Sequence, residues 1–230
     1  SAPDSPAVRE VAALLGEENL RRLFSKEVRE GDQTVKVASG DSINRIARKN
    51  GVTEELMLRA NAIRDAKALR IGQVLRVPAV QFSLLANIAD NLMILRNKGE
   101  FFKLYEVRSG RVAGTTPVGE FKVLNKKRNP TWRPGNGRVY LPGDPNNELG
   151  TRWMSFQSDI LGIHGTLHPD TIGHYASNGC LGMTTADVEE LHDLITVGTP
   201  LTITGEQDTT RRRVIAAPEV PPPAQVAKVN

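Results

Sequence analysis

The sequence predicts a mainly β domain over residues 80–205, preceded by a small α+β module and an N-terminal helical segment, and three observations carry that prediction. Phe101–Val107 (FFKLYEV) and Gly119–Leu124 (GEFKVL) are short apolar and aromatic runs bounded by Gly, Pro and Asn, as half-buried strands are. Turn-forming clusters recur at Asn97-Lys98-Gly99, Ser109-Gly110 and Pro134-Gly135-Asn136-Gly137. A long helix is expected only at Thr185–Ile195, where Val188, Leu191, Leu194 and Ile195 share one face, and Leu201–Thr204 then reads as a closing strand.

Upstream, apolar residues at Val8, Val11, Ala12, Leu15, Leu20, Leu23 and Phe24 predict a helical stretch over residues 5–30, interrupted at Gly16, within a first segment of residues 1–33. The texture changes at Thr34. Val35 and Val37 alternate like a strand, and Ser39-Gly40-Asp41-Ser42 supplies a turn and a helix cap. Ile43, Ile46 and Ala47 line a helix that Asn50-Gly51 stops. A second helix starts at Thr53, with Leu56, Leu58 and Ala60 inward, and residues 71–78 close the unit with a turn and a strand that Pro78 terminates. Residues 34–79 therefore read as a strand, helix, helix, strand (βααβ) unit. Residues 206–230, with Arg211-Arg212-Arg213 and Pro221-Pro222-Pro223, have little capacity for a core and read as a tail or extended arm.

Composition removes several function classes. Thirty Lys and Arg against 26 Asp and Glu give a net charge of +4, spread along the chain without the basic stripe of a nucleic-acid module. No window approaches the roughly 18 consecutive apolar residues of a membrane helix, so no stable membrane insertion is expected. The chain opens on Ser1 with no apolar leader, the form expected of a protein whose signal or anchor has been removed. Cys180 is the single cysteine, which excludes an intramolecular disulfide and leaves a structural, reactive or metal-binding thiol.

The 34–79 unit, with GDSINRIARKNGVTEELMLRANAI followed by LRIGQVLRVP, resembles a LysM module over its whole length. The resemblance implies binding to N-acetylglucosamine-containing glycans, with Gly40, Asp41 and Ser42 and the 63–71 stretch at the binding groove. The local reading of the same residues is a turn and a cap.

Chemistry concentrates at Ile163-His164-Gly165-Thr166 and Ser177-Asn178-Gly179-Cys180-Leu181-Gly182-Met183. A free cysteine, with a pKa of about 8.5, is only a few per cent thiolate at pH 7. A nearby imidazolium that lowered the value to about 6 would contribute roughly 3.4 kcal/mol. His164, His168 and His174 are the candidates. The residues alone leave three readings: an inert core thiol, a zinc site of the three histidines with Cys180, and a thiol enzyme. Gly165 and Pro169 argue against a helix presenting His164 and His168 together, and no second cysteine supports a closed zinc site.

This stretch resembles the L,D-transpeptidase (YkuD-like) catalytic domain. His164-Gly165 matches the family's His-Gly pair, and Ser177, Gly179, Cys180 and Met183 match its Ser-His-Gly-Cys motif and the tripeptide that follows. Thr116-Pro117-Val118-Gly119-Glu120-Phe121 matches the Thr-Pro-x-Gly-x-Phe strand entry, and Thr151-Arg152-Trp153-Met154 resembles the segment before the His-Gly strand. Two positions depart: Asn178 replaces the histidine before Gly-Cys, and Gly182 replaces the arginine after the cysteine, with Arg133, Arg138 or Arg152 as candidate substitutes for its charge.

The resemblance implies a β-sandwich or barrel and a cofactor-free, metal-free acyl transfer on tetrapeptide stems. It implies Cys180 as nucleophile and His164 as base, oriented by the Gly165 carbonyl. Amides at Gly179 and Cys180, with Asn178, would hold the oxyanion, and Ser177 would contact substrate. The implied partner is peptidoglycan, both glycan strands and stem peptides, and the implied location is extracytoplasmic. An L,D-carboxypeptidase and a catalytically impaired peptidoglycan-binding scaffold are the alternatives.

Overall fold

A computed structural model describes residues 5–135, 137–210 and 212–216. Asn136 of the predicted 134–137 turn, Arg211 and the Pro221–Pro223 run lie outside the described residues. In chain order the elements are α1 (Pro6–Leu23), β1 (Gln33–Lys36), α2 (Ile43–Lys49), α3 (Glu54–Ala60), β2 (Val74–Val77), β3 (Phe82–Asn87), β4 (Leu92–Asn97), β5 (Glu100–Glu106) and β6 (Ser109–Gly110). They continue with β7 (Gly119–Lys122), β8 (Asn125–Arg128), β9 (Arg152–Gln157), β10 (Leu161–Gly165), β11 (Tyr175–Ser177), β12 (Leu181–Met183), α4 (Thr185–Leu194) and β13 (Pro200–Thr204).

The predicted βααβ unit forms with antiparallel β1 and β2. Ser42 and Thr53 cap its helices by accepting from the amides of Arg45 and Leu56. Met57 is fully buried there, whereas Leu58 is only half-buried. The mainly β domain holds a five-stranded sheet, ordered β5-β4-β3-β13-β7, and a four-stranded sheet, ordered β12-β10-β9-β8. Leu84, Met93, Leu95 and Leu201 of the first share a core with Met154, Ile163, Leu181 and Met183 of the second. Val188, Leu191 and Leu194 of α4 join that core, along the face predicted from their spacing. Phe121 and Phe156 meet edge-on at 5.5 Å, pinning β7 to β9.

Two expectations are corrected. The N-terminal helix ends at Leu23 rather than near residue 30, and it runs through Gly16 without a break. Gly16 is a packing position: a Cβ there would stand 3.0 Å from Lys103 Cγ, so the missing side chain lets α1 lie against β5. Asn19 Nδ2 donates to Phe102 O at 2.9 Å across the same contact, so the helix is part of the mainly β domain's surface. After Gly205 the described residues form an extended arm: Val214 bridges Tyr175, and the Ile215 amide donates to Tyr175 O at 2.9 Å.

The βααβ unit is tied to its neighbours by polar contacts, buried at Arg76 and partly exposed at Arg128. Arg76 of β2 pairs with Asp32, both side chains buried, and donates to Leu23 O and Ser25 O at the end of α1. On the opposite flank, Thr53 Oγ1 donates to Asp193 O, and Arg128 of β8 bridges Glu55 and Asp193.

Candidate active site

Strand alternation sets the first half of the site. Ile163 of β10 is buried in the core, so its neighbour His164 points to the opposite face. His164 pairs in register with Trp153 of antiparallel β9 and with Gly182 of parallel β12. The Trp153 and His164 rings stand 5.9 Å apart, and the indole lies where a side chain at Gly162 would be, 2.7 Å from its Cβ. His164 Nδ1 lies 2.5 Å from Gly165 O. A carbonyl only accepts, so Nδ1 carries the proton and Nε2 is the basic nitrogen.

The second half is the turn between β11 and β12. Ser177 Oγ donates to Cys180 O at 2.7 Å and accepts from the Gly179 amide at 3.0 Å, closing the turn on itself. Gly179 sits at φ +123°, with Thr115 O only 2.4 Å from where a Cβ would be, so no other residue fits. Thr116, from the Thr-Pro-x-Gly motif, is buried. Its hydroxyl donates to Gly179 O at 2.9 Å and accepts from the Gly110 amide at 2.8 Å, anchoring the turn to β6. Asn178 is exposed, and its Oδ1 accepts from Arg111.

His164, Cys180, Ser177 and Asn178 line one cleft of about 920 Å³. Its walls also carry Arg108, Arg111, Lys127, Arg128 and Arg133 against the acidic Glu148 and Asp159, so the cleft favours anionic ligands. Gly165 lies behind it, packed on Val188 and Gly150. Among the described residues no group of three or more His, Cys, Asp or Glu side chains could hold a metal ion. His168 Nε2 instead meets Glu148 Oε1 at 2.9 Å.

The electrostatics differ from those expected of an imidazolium beside a thiolate. Burial, together with the positive charge of Arg108, lowers the His164 pKa to about 4. Burial pushes the Cys180 thiol up, while the Gly162 amide and Arg108 pull it down without reversing the rise. Both shifts favour the neutral pair, thiol and imidazole, at rest. The cation whose charge reaches the sulfur is Arg108, a residue the sequence reading passed over in favour of Arg133, Arg138 and Arg152. Its signal was a lone arginine directly after the apolar Phe101–Val107 run.

The two glycine-bearing turns called as binding elements differ in availability. Gly179 has its amide taken by Ser177, so it is not a spare oxyanion donor in this conformation. In the βααβ unit, Asp41 Oδ2 accepts from the Ala38 amide at 2.9 Å, Ser42 caps α2, and Gly40 occupies φ +80° with nothing within 4 Å of its Cβ position. These three residues lie in a separate unit from the cleft.

Residues 81–203 match the L,D-transpeptidase catalytic domain family (YkuD), and residues 35–78 match the LysM domain family. The chain belongs to the L,D-transpeptidase family and carries a LysM domain ahead of the catalytic one. It is 31% identical over 176 residues to the putative L,D-transpeptidase YkuD of Bacillus subtilis (strain 168), covering 74% of this chain and 98% of that protein. It is 40% identical over 119 residues to the putative L,D-transpeptidase YqjB of the same strain, covering 50% of this chain and 65% of that one. A solved L,D-transpeptidase from Mycobacterium tuberculosis H37Rv aligns with TM-score 0.46 and 19% identity over 58% of this chain and 63% of its own. The domain pair marks a cell-wall-related protein, and among the described residues no helix is long and apolar enough to cross a membrane.

Proposed function

We propose that this protein is a peptidoglycan L,D-transpeptidase that works outside the cytoplasm through a Cys180 thioester. The observation that carries the reading is the shared cleft of Cys180 and His164, which lie on or beside parallel-paired strands, with His164 Nδ1 held by the Gly165 carbonyl. That hydrogen bond leaves Nε2 to accept a proton, the role a base needs.

In the first step Cys180 Sγ attacks the carbonyl carbon of the bond between the L-centre and the terminal D-residue of a tetrapeptide stem, and the thiol proton passes to His164 Nε2. The C–N bond then breaks, His164 returns the proton to the leaving amine, and a thioester remains. In the second step the amine of another stem attacks the thioester, its proton passes through His164 to sulfur, and the free thiol returns. A neutral resting pair suits this sequence, because the proton moves only as the S–C bond forms. The Cys180 amide is the assigned oxyanion donor, with Asn178 at the rim; Ser177 shapes the turn and also lines the cleft.

The cationic wall fits stems bearing carboxylates. The LysM unit, with Gly40, Asp41 and Ser42 at its glycan-facing turn, raises the concentration of the enzyme at its polymer. Incubation with tetrapeptide muropeptides, with products resolved by mass, tests the reading. Cross-linked dimers with release of the terminal residue are expected. Tripeptides alone would identify an L,D-carboxypeptidase, and absence of turnover by the folded protein would leave only the scaffold reading.

A further inference from the structure

Gly182 lies in the middle of a row of residues from three adjacent backbone segments. On one side it pairs with His164 of parallel β10. On the other it forms an antiparallel bridge with Arg108, the Arg108 amide donating to Gly182 O at 2.8 Å and the Gly182 amide to Arg108 O at 2.9 Å. Residues paired across neighbouring strands project to the same face, and residues two apart on one strand do likewise. Arg108 and His164 therefore share one face, and both line the cleft together with Cys180, which immediately precedes β12.

The row is filled in an unusual way. A Cβ at Gly182 would stand 2.5 Å from Arg108 Nε, 2.7 Å from its Cγ and 3.0 Å from its Cδ, so the arginine side chain lies across the space that residue 182 would claim. Arg108 is buried, its Nη1 donates to Thr171 Oγ1 at 3.2 Å, and its Nη2 meets Glu148 at 3.5 Å. Nε is buried with no hydrogen-bond partner among the described residues. A buried guanidinium held this loosely is costly to fold around, which is a sign that its charge is used.

We propose that Arg108 and Gly182 are one unit: Arg108 is the positioning cation of the reactive centre, entering from the segment beside β12, and Gly182 is side-chainless to admit it. This rests on the assignment of Cys180 and His164 as nucleophile and base. The charged groups around the pair are Glu148, with His168 behind it, on the acid side and Arg111 on the basic side. Arg108 stabilises the thiolate and disfavours the imidazolium, so it moves both titrations to lower pH.

Alkylation of Cys180 by iodoacetamide across pH reads the sulfur without turnover. Arg108→Met should shift the midpoint of the profile alkaline by about one unit, a roughly tenfold loss of rate at pH 7, and Arg108→Lys should restore part of it. Gly182→Ala leaves Arg108 in the sequence but displaces it, and should shift the profile in the same direction. Arg108→Ala combined with Gly182→Arg returns a cation to the face from the other strand and should bring the midpoint back, whereas Gly182→Arg alone should not leave the profile unchanged. A midpoint fixed in Arg108→Met and in Gly182→Ala overturns the proposal; should the first not fold, the second and the double variant decide it. Muropeptide turnover by the unaltered protein is measured in parallel: turnover with an unmoved midpoint defeats the Arg108 role alone, and a moved midpoint without turnover defeats the transpeptidase reading alone.

Discussion

The turn at residues 39–42 in the LysM unit and the turn at residues 177–180 in the catalytic unit use similar residues, Ser and Gly with one Asp or Asn, and are held in opposite ways. In the first, the polar groups are satisfied within a few residues: Asp41 by Ala38, Ser42 by Arg45, and Gly40 O by Arg45 Nη1. In the second, Ser177 closes the turn locally, but Thr115 and Thr116, some 60 residues away in sequence, fix Gly179, and Arg111 holds Asn178. A turn that supports itself can lie exposed on the surface. The second turn is clamped from outside, as the proposed roles of Cys180 and His164 require, because small displacements of reacting groups cost large factors in rate.

The largest expected effect lies in the clamped turn. Cys180→Ala should abolish thioester formation, and an acyl adduct surviving in that variant by mass spectrometry would refute the nucleophile assignment. Gly179→Ala forces a Cβ to within 2.4 Å of Thr115 O at φ +123°, and should lower kcat by at least about 100-fold while destabilising the fold by roughly 2 kcal/mol or more. Denaturant melts and muropeptide kinetics on the same sample check both.

Next comes the acid stability of the clamped site. His164 has a folded pKa of about 4 against an ordinary value of 6.5, so the unfolded chain binds more protons between those limits. Stability should therefore be lost as pH falls from about 6.5 and level off below about 4, by up to about 3 kcal/mol from this residue. Burial also lowers His174 and His192, which add dependence of the same sign. His164→Gln should flatten the curve relative to the unaltered protein, and identical slopes would show that the buried imidazole is not the source.

Thr116→Val tests the clamp itself. It leaves the Gly110 amide and the Gly179 carbonyl without their shared hydroxyl, which should cost ~1–3 kcal/mol and lower kcat more than it raises KM. The smallest effect is expected in the self-supporting turn: Gly40→Ala strains a residue at φ +80° but meets nothing within 4 Å, so it should cost about 1 kcal/mol or less. Turnover of soluble muropeptides should be unchanged and retention on insoluble wall polymer reduced. Equal losses of turnover in Thr116→Val and Gly40→Ala would erase the distinction between the two turns.

Much of this molecule was written locally. The helix caps at Ser42 and Thr53, the apolar face of α4 and the βααβ order of the LysM unit follow from spacing over fewer than ten residues, because a cap or an amphipathic face is a local property. The cleft residues Cys180, His164, Ser177 and Asn178, with Gly165 behind them, were legible for the same reason, as short motifs. What escaped were contacts whose partners are far apart in sequence: Gly16 reads as a helix break but packs on Lys103, and nothing in the sequence after Gly205 announces the pairing of Val214 with Tyr175. Gly182 read as a lost charge, because no pattern in the chain links position 182 to Arg108. The sequence by itself determined which residues could supply a thiol and a base. Only the tertiary structure decided that both rest neutral and that the nearby cation comes from another segment, since burial and cross-strand register are properties of the packed sheet and not of any stretch of chain.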